Sequence, residues 1–251
     1  MPLTELTADM HPQRLPARTA TPALLVSVRN VAEAQLAASL GVGWIDLKDP
    51  DAGSLGACQA ATAQAVAQAL QDFPRRSAAA GELREAGYGT ALSLAPLFPV
   101  VKVGLAGLAA QSNWRLRFAE LAEAVARQAS VLVPVIYADF LRCEAPQPRD
   151  VLQLAQQLQS PYVLLDTYHK VEQDLFDCLS LSAIEAIGAQ ATAAGCQLVV
   201  AGSLSLDQLS PLMQLPLAAI AVRGAVCHGD RRSPLCPQKV QLWVSRLHGA
   251  S

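Results

Sequence analysis

The chain has 251 residues, 52% of them hydrophobic and 16% charged, with a formal net charge of −2. This length buries a full core, as one large domain or two small ones. The near-neutral balance excludes a nucleic-acid coat and a polybasic membrane anchor, and no apolar run approaches the roughly 18 residues of a membrane span.

Residues 1–21 mix Pro, Arg and acidic side chains without the apolar stretch of a signal peptide, and are expected to form an N-terminal arm. From 22 to 251, short apolar runs recur at 23–28, 44–48, 77–80, 100–105, 131–137, 162–166, 197–201 and 219–222. Most lack alternation, the pattern of parallel strands buried on both faces. Helical stretches fall between and after them, at 31–40, 60–70, 88–97, 114–128, 151–159, 182–194, 206–214 and 237–247. Alternation of this kind implies βαβ units. Eight units of about 29 residues match a single-domain α/β chain, a TIM (β/α)8 barrel behind a short N-terminal extension. A doubly wound open sheet is the rival, but neither GxGxxG nor GxxxxGK[ST] occurs. The least secure strand is 77–80, Ser-Ala-Ala-Ala, whose β-propensity is poor.

Six cysteines, at 58, 143, 178, 196, 227 and 236, form no CxxC pair and have no nearby His partner. Neither a metal site nor a disulfide scaffold is expected, and reduced thiols fit a cytoplasmic protein.

The basic residues are more informative. Of nineteen, fifteen are Arg and four are Lys: Lys48, Lys102, Lys170 and Lys239. Base composition explains most of that bias, but not where the lysines fall. Catalytic groups of a barrel come from the C-terminal ends of its strands and the loops beyond. Lys48 ends the second run, Lys102 lies inside the fourth and Lys170 follows the sixth, while Lys239 reads as ordinary helix surface. Asp46 stands two residues before Lys48, on the same side of a strand, and Asp166 closes the sixth run. A buried lysine near other cations is pushed toward its neutral amine, the form that attacks a carbonyl to give an imine. Aspartates beside it can pair with the lysines that stay charged and carry protons. One such pair alone reads best as an interior salt bridge; three lysines and two aspartates at strand ends favour chemistry.

Two later segments suit a phosphate. Gly202 and Ser203 leave the seventh strand and open a helix, and Arg223, Gly224 and Ala225 leave the eighth; barrels commonly bind phosphate after these two strands. The long loop from Lys48 to Ala57 closes over the site, offers N–H groups to a second phosphate, or is plain surface. Asp139 and Arg142 follow the fifth strand within reach of the mouth, His169 reads as polar packing or a minor supporting group, and His228 to Arg231 as a solvated loop with phosphate contact as the lesser reading. A small phosphorylated carbonyl compound joins these observations.

The blocks Ile45-Asp46-Leu47-Lys48-Asp49-Pro50 with Gly53-Ser54-Leu55-Gly56-Ala57, Val101-Lys102-Val103-Gly104-Leu105, Tyr137-Ala138-Asp139, Leu165-Asp166-Thr167 with Lys170, Ala201-Gly202-Ser203 and Val222-Arg223-Gly224-Ala225-Val226-Cys227 resemble, in order, the (5-formylfuran-3-yl)methyl phosphate synthase family. The resemblance runs from about residue 23 to 232. It implies a TIM-barrel lyase of methanofuran biosynthesis, condensing two molecules of glyceraldehyde 3-phosphate with release of phosphate and water. Carried over by position, Lys48 forms the Schiff base and Lys170 acts as general acid and base, with Asp46, Lys102 and Asp166 completing the charged cluster. It implies no metal or organic cofactor and no nucleic-acid or membrane partner, and leaves a homo-oligomer open. The chain departs from the pattern in its arm and in Gly81-Glu82, where Gly-Asp is expected. The Arg-rich composition suggests a bacterial member serving tetrahydromethanopterin-linked one-carbon metabolism. Two other readings stand beside this one: a class I Schiff-base aldolase for another phosphorylated aldehyde, and a non-catalytic phosphosugar-binding barrel.

Overall fold

The computed structural model describes residues 21–170 and 173–249; nearly all of the expected arm, 1–20, lies outside them. The elements run β1 (Ala23–Val28), α1 (Val31–Ser39), β2 (Trp44–Leu47), α2 (Ala60–Ala69), β3 (Arg76–Glu82), α3 (Gly87–Leu94), β4 (Val100–Gly104), α4 (Trp114–Ala126), β5 (Val131–Tyr137), α5 (Pro148–Gln157), β6 (Tyr162–Asp166), α6 (Leu175–Cys178), α7 (Leu181–Ala193), β7 (Gln197–Val200), α8 (Leu209–Met213), β8 (Leu217–Val222) and α9 (Pro237–His248). The eight strands are parallel and close in sequence order, β8 pairing back onto β1. This is the TIM barrel expected from the alternation.

Each strand divides its side chains between two cores, because successive residues point to opposite faces. Val26, Ile45, Val101, Val103, Ile136, Leu165, Val200 and Ile220 pack outward under the helices. Leu25, Ala79, Val133, Val135, Leu164, Val199, Ala219 and Ala221 fill the barrel interior. Both faces are therefore apolar, which explains the unbroken hydrophobic runs. The alternation reappears only where the interior turns polar, as at Asp46 and Lys102.

β3 extends from 76 to 82, well beyond the four residues expected. Tertiary contacts override its weak propensity. Ser77 takes a hydrogen bond from the Trp44 indole at 3.1 Å and gives one to Asp46 at 2.7 Å, and three alanines give the strand close neighbours on both sides. The segment 206–214 is less regular than its periodicity suggests. A 3-10 turn at 206–208 precedes the five-residue α8. Short α6, whose Asp174 and Asp177 form a reciprocal cap, has no counterpart in the sequence reading. No helix among the described residues is long and apolar enough to cross a membrane.

The loop after β2 turns inward. Leu55 is buried in the interior core and its carbonyl accepts from Gly81 N–H at 2.8 Å. Ser54 donates to the Thr167 carbonyl at 2.9 Å, tying the loop to the end of β6. Gly56 is required here, since a Cβ would collide with the Asp49 carbonyl.

Candidate active site

Asp46 is the hub of the mouth on the β2 side. It is fully buried, and its Oδ1 lies 2.6 Å from Lys102 Nζ. Ser77 donates to the same oxygen, and Ser27 to Oδ2 at 3.2 Å. Register explains the meeting: β1 sets Ser27 opposite Asp46, and β2 sets Asp46 opposite Ser77. Lys102 reaches the hub from β4 because its neighbours Val101 and Val103 take the helix-facing side.

A second pair stands across the mouth. Lys170 Nζ is ion-paired with Asp166 Oδ1, which also accepts the Thr167 N–H at 2.9 Å. Burial pulls the Lys170 amine below its ordinary value, and Asp166 opposes that shift.

Lys48 lies between the pairs and has neither. It is buried, and among the described residues no carboxylate is within ion-pair distance of its Nζ. Burial lowers its pKa to about 7; the charge of Lys170 adds to the shift, and Asp166 and Asp46 counter it. Much of this amine is therefore neutral near pH 7, as a nucleophile for a carbonyl requires.

The β3 and β5 side of the mouth carries a third buried pair that the sequence reading did not connect. Glu82 ends β3, and its Oε1 accepts the Tyr137 hydroxyl of β5 at 2.5 Å; the Ala106 N–H donates to Oε2 at 2.8 Å. Burial raises the Glu82 carboxyl, and burial together with Glu82 holds the Tyr137 phenol well above its ordinary value. The signal in the sequence was slight: a single acid after a Gly, noticed only as a departure from a family pattern.

The rim divides its two arginines. Arg223 is buried, and all of its N–H directions are engaged. Its Nη1 donates to Glu33 Oε2 and to the Ser27 carbonyl, both at 2.8 Å; Nη2 donates to Glu33 Oε1 and the Ser233 carbonyl, both at 3.3 Å; and Nε donates to the Arg231 carbonyl at 2.7 Å. A guanidinium has five donors, and here all five of Arg223 are directed at protein acceptors that tie the β8 loop to α1 and β1. Arg231, read from the sequence as part of a solvated loop with phosphate contact as the lesser reading, is less exposed than that. It is partly buried and donates to the Gly53 carbonyl at 2.9 Å. Burial lowers its pKa from the ordinary value, while nearby Asp166 opposes the shift.

The Gly202 turn is built as the sequence suggests, for a different reason. Gly202 and Ser203 both take positive φ, 113° and 54°. Among the described residues their N–H groups make no hydrogen bond within the protein. The helix expected to follow is too broken to supply a sizeable dipole. Gly224 and Ala225 form a 3-10 turn beside the Arg223 anchor.

Other candidates serve structure. Asp139 accepts the N–H groups of Tyr168 and His169 at 2.7 and 3.0 Å, and faces His169 Nδ1 at 2.8 Å. Burial would raise its carboxyl, but these hydrogen bonds hold it below its ordinary value. Arg142 donates to Gln173, and Lys239, half-buried rather than plain surface, donates to the Cys227 carbonyl at 2.7 Å. The thiols of Cys58 and Cys143 are pushed up to about 12, chiefly by burial. Among the described residues no three His, Cys, Asp or Glu side chains gather closely enough to hold a metal ion.

A closed (β/α)8 barrel whose ionisable side chains gather at the C-terminal ends of β2, β4 and β6 has the architecture of the TIM-barrel enzymes. Among solved structures, the phosphoribosyl anthranilate isomerase of Thermus thermophilus shares the fold, with a TM-score of 0.62 and 16% identity over 91% of this chain and all of that one. A 3-hexulose-6-phosphate synthase does so with a TM-score of 0.55 and 14% identity, over 88% of this chain and 98% of that one.

The family is more specific. Residues 24–244 match the 4-HFC-P synthase model, and the chain belongs to that family of synthases. The (5-formylfuran-3-yl)methyl phosphate synthase of Archaeoglobus fulgidus is 30% identical over 235 residues, 90% of this chain and 99% of its own length. That of Methanothermobacter thermautotrophicus is 30% identical over 221 residues, 84% of this chain and 91% of its own.

Proposed function

We propose that this protein condenses two molecules of glyceraldehyde 3-phosphate into (5-formylfuran-3-yl)methyl phosphate through an imine on Lys48, supplying the furan of methanofuran. The observation that carries the mechanism is the state of Lys48: a buried amine near neutrality, left without a carboxylate between two lysines that each hold one.

The neutral amine adds to the first aldehyde, and loss of water gives the imine. The imine acidifies the adjacent carbon, whose proton passes to a base. Lys170, with its amine lowered and Asp166 against it, is placed for that transfer. The resulting enamine attacks the second aldehyde. Elimination of one phosphate, ring closure and loss of water then give the aromatic ring, and hydrolysis frees Lys48. Two substrate molecules account for one furan phosphate, one inorganic phosphate and two waters. The Lys102–Asp46 ion pair lies beneath the imine. The open N–H groups of Gly202 and Ser203, with Arg231 across the rim, suit the substrate phosphates.

The test is the purified protein with glyceraldehyde 3-phosphate alone. Furan absorbance should develop with one phosphate released per ring. A reversible aldol product with no aromatic absorbance would establish the aldolase reading instead.

A further inference from the structure

The proposed function gives work to both lysine–aspartate pairs and leaves the Glu82–Tyr137 pair without any. Its position ties it to the same reaction space. Lys102 and Gly104 lie two apart on β4 and share its inward face, so Gly104 marks the layer directly above Lys102. Glu82 is in register with Gly104 across β3 and β4. A Cβ at residue 104 would collide with both Glu82 carboxylate oxygens and the Tyr137 hydroxyl. A glycine there makes the room that the pair occupies. Tyr137 is in turn the register partner of Asp166, which holds Lys170. The pair therefore stands over Lys102 and beside Asp166, on the arc of the mouth between β2 and β6.

Its hydrogen bonding has a direction. The Ala106 N–H satisfies Oε2 and leaves Oε1 facing only the phenol. Burial favours the protonated form of Glu82 and keeps Tyr137 a phenol. With the proton on Oε1, Glu82 becomes the donor to Tyr137 and the phenol's own O–H is freed. Because Tyr137 is fully buried and packed against Tyr168, a substrate oxygen reaches it only by displacing what covers it. A pair kept only for packing would be served as well by apolar side chains, which bury without this desolvation cost.

We propose that Tyr137 is the catalytic acid for the second, acceptor aldehyde, and that Glu82 is the positioning residue that recharges it. The inference rests on the condensation proposed above. In the step concerned, the enamine carbon bonds to the acceptor's carbonyl carbon and the C=O π pair moves onto oxygen. That oxygen takes the Tyr137 proton, Tyr137 takes the Glu82 proton, and the Glu82 carboxylate is reprotonated from water. The amine cluster on β2 and β6 activates the nucleophile; the carboxyl–phenol pair on β3 and β5 activates the electrophile.

The experiment separates the two halves of the reaction in the full-length protein. With glyceraldehyde 3-phosphate, borohydride trapping on Lys48 reports imine formation, and furan absorbance reports condensation. Tyr137→Phe, which keeps the ring and its packing, should slow furan formation by on the order of a hundredfold or more, with the trapping rate within threefold of wild type. Glu82→Gln should show the same split to a smaller degree. A furan rate in Tyr137→Phe within tenfold of wild type, or trapping that falls in parallel with furan formation, would overturn the assignment. Wild-type protein that neither traps nor makes furan would instead overturn the condensation itself, so the two failures are distinct.

Discussion

The lysine–aspartate cluster carried by β2, β4 and β6 and the Glu82–Tyr137 pair carried by the intervening β3 and β5 both bury ionisable groups, yet they settle charge in opposite ways. On β2 and β6, two aspartates each hold one lysine, and a third lysine, Lys48, is left over with its amine lowered to about 7. On β3 and β5, a carboxyl and a phenol share a hydrogen bond with no cation among the described residues paired to either, and burial favours their neutral forms. An excess of cations in a desolvated space yields a free amine; an uncompensated acid in the same space yields a proton donor. The same physical penalty, burial of charge, thus prepares a nucleophile in the cluster and an acid in the pair.

The largest way to break this comparison is to remove the surplus amine. Lys48→Ala should lower furan formation by on the order of 10⁴-fold or more, comparable with loss of a covalent nucleophile elsewhere. Asp166→Asn frees Lys170 from its pair and should reduce kcat by roughly 10²–10³-fold, read in the same absorbance assay. The rim arginines should separate by observable. Arg223→Ala strips buried Glu33 of its two-pronged partner and leaves it Arg29 at 3.6 Å, and should cost up to about 3–5 kcal/mol of stability in denaturant unfolding. Arg231→Ala should raise KM for glyceraldehyde 3-phosphate about tenfold, with the unfolding midpoint unchanged.

The charge balance itself can be read through pH. Because the neutral Lys48 amine is the reactive form, the trapping rate should rise with pH and level off above about 7. Lys170→Met removes a neighbouring charge that lowers Lys48, so its limb should move to higher pH. The smallest effect concerns stability. A lysine near 10.5 unfolded and about 7 folded gives the unfolded chain the extra proton between those values. Stability should therefore rise with pH across that window, and the penalty is greatest below about 7. Lys48→Met removes the penalty and should raise Tm at pH 7, by roughly 2–4 °C for each kcal/mol of it.

Much of this was legible in the sequence, and the reason differs by feature. The barrel followed from strands buried on both faces, which makes apolar runs conspicuous. The lysine positions were conspicuous because lysine is scarce and strand ends are where barrels keep their chemistry. Which lysine lacked a partner was not legible: Asp46 stands two residues from Lys48 in the chain, yet it belongs to Lys102, from a strand two places away. The Arg223–Glu33 pair was not legible, because a strand-end arginine next to a glycine reads the same whether it faces a phosphate or a carboxylate. Glu82 and Tyr137 are 55 residues apart, and only the register between β3, β4 and β5, with the space left by Gly104, brings them together.

The central claim is that Lys48, and not either paired lysine, forms the covalent bond. Borohydride reduction in the presence of glyceraldehyde 3-phosphate, followed by peptide mass analysis, reads this directly. The expected result is one reduced adduct on the peptide bearing Lys48, abolished in Lys48→Ala. An adduct on Lys102 or Lys170, or furan formation without any adduct, would contradict it.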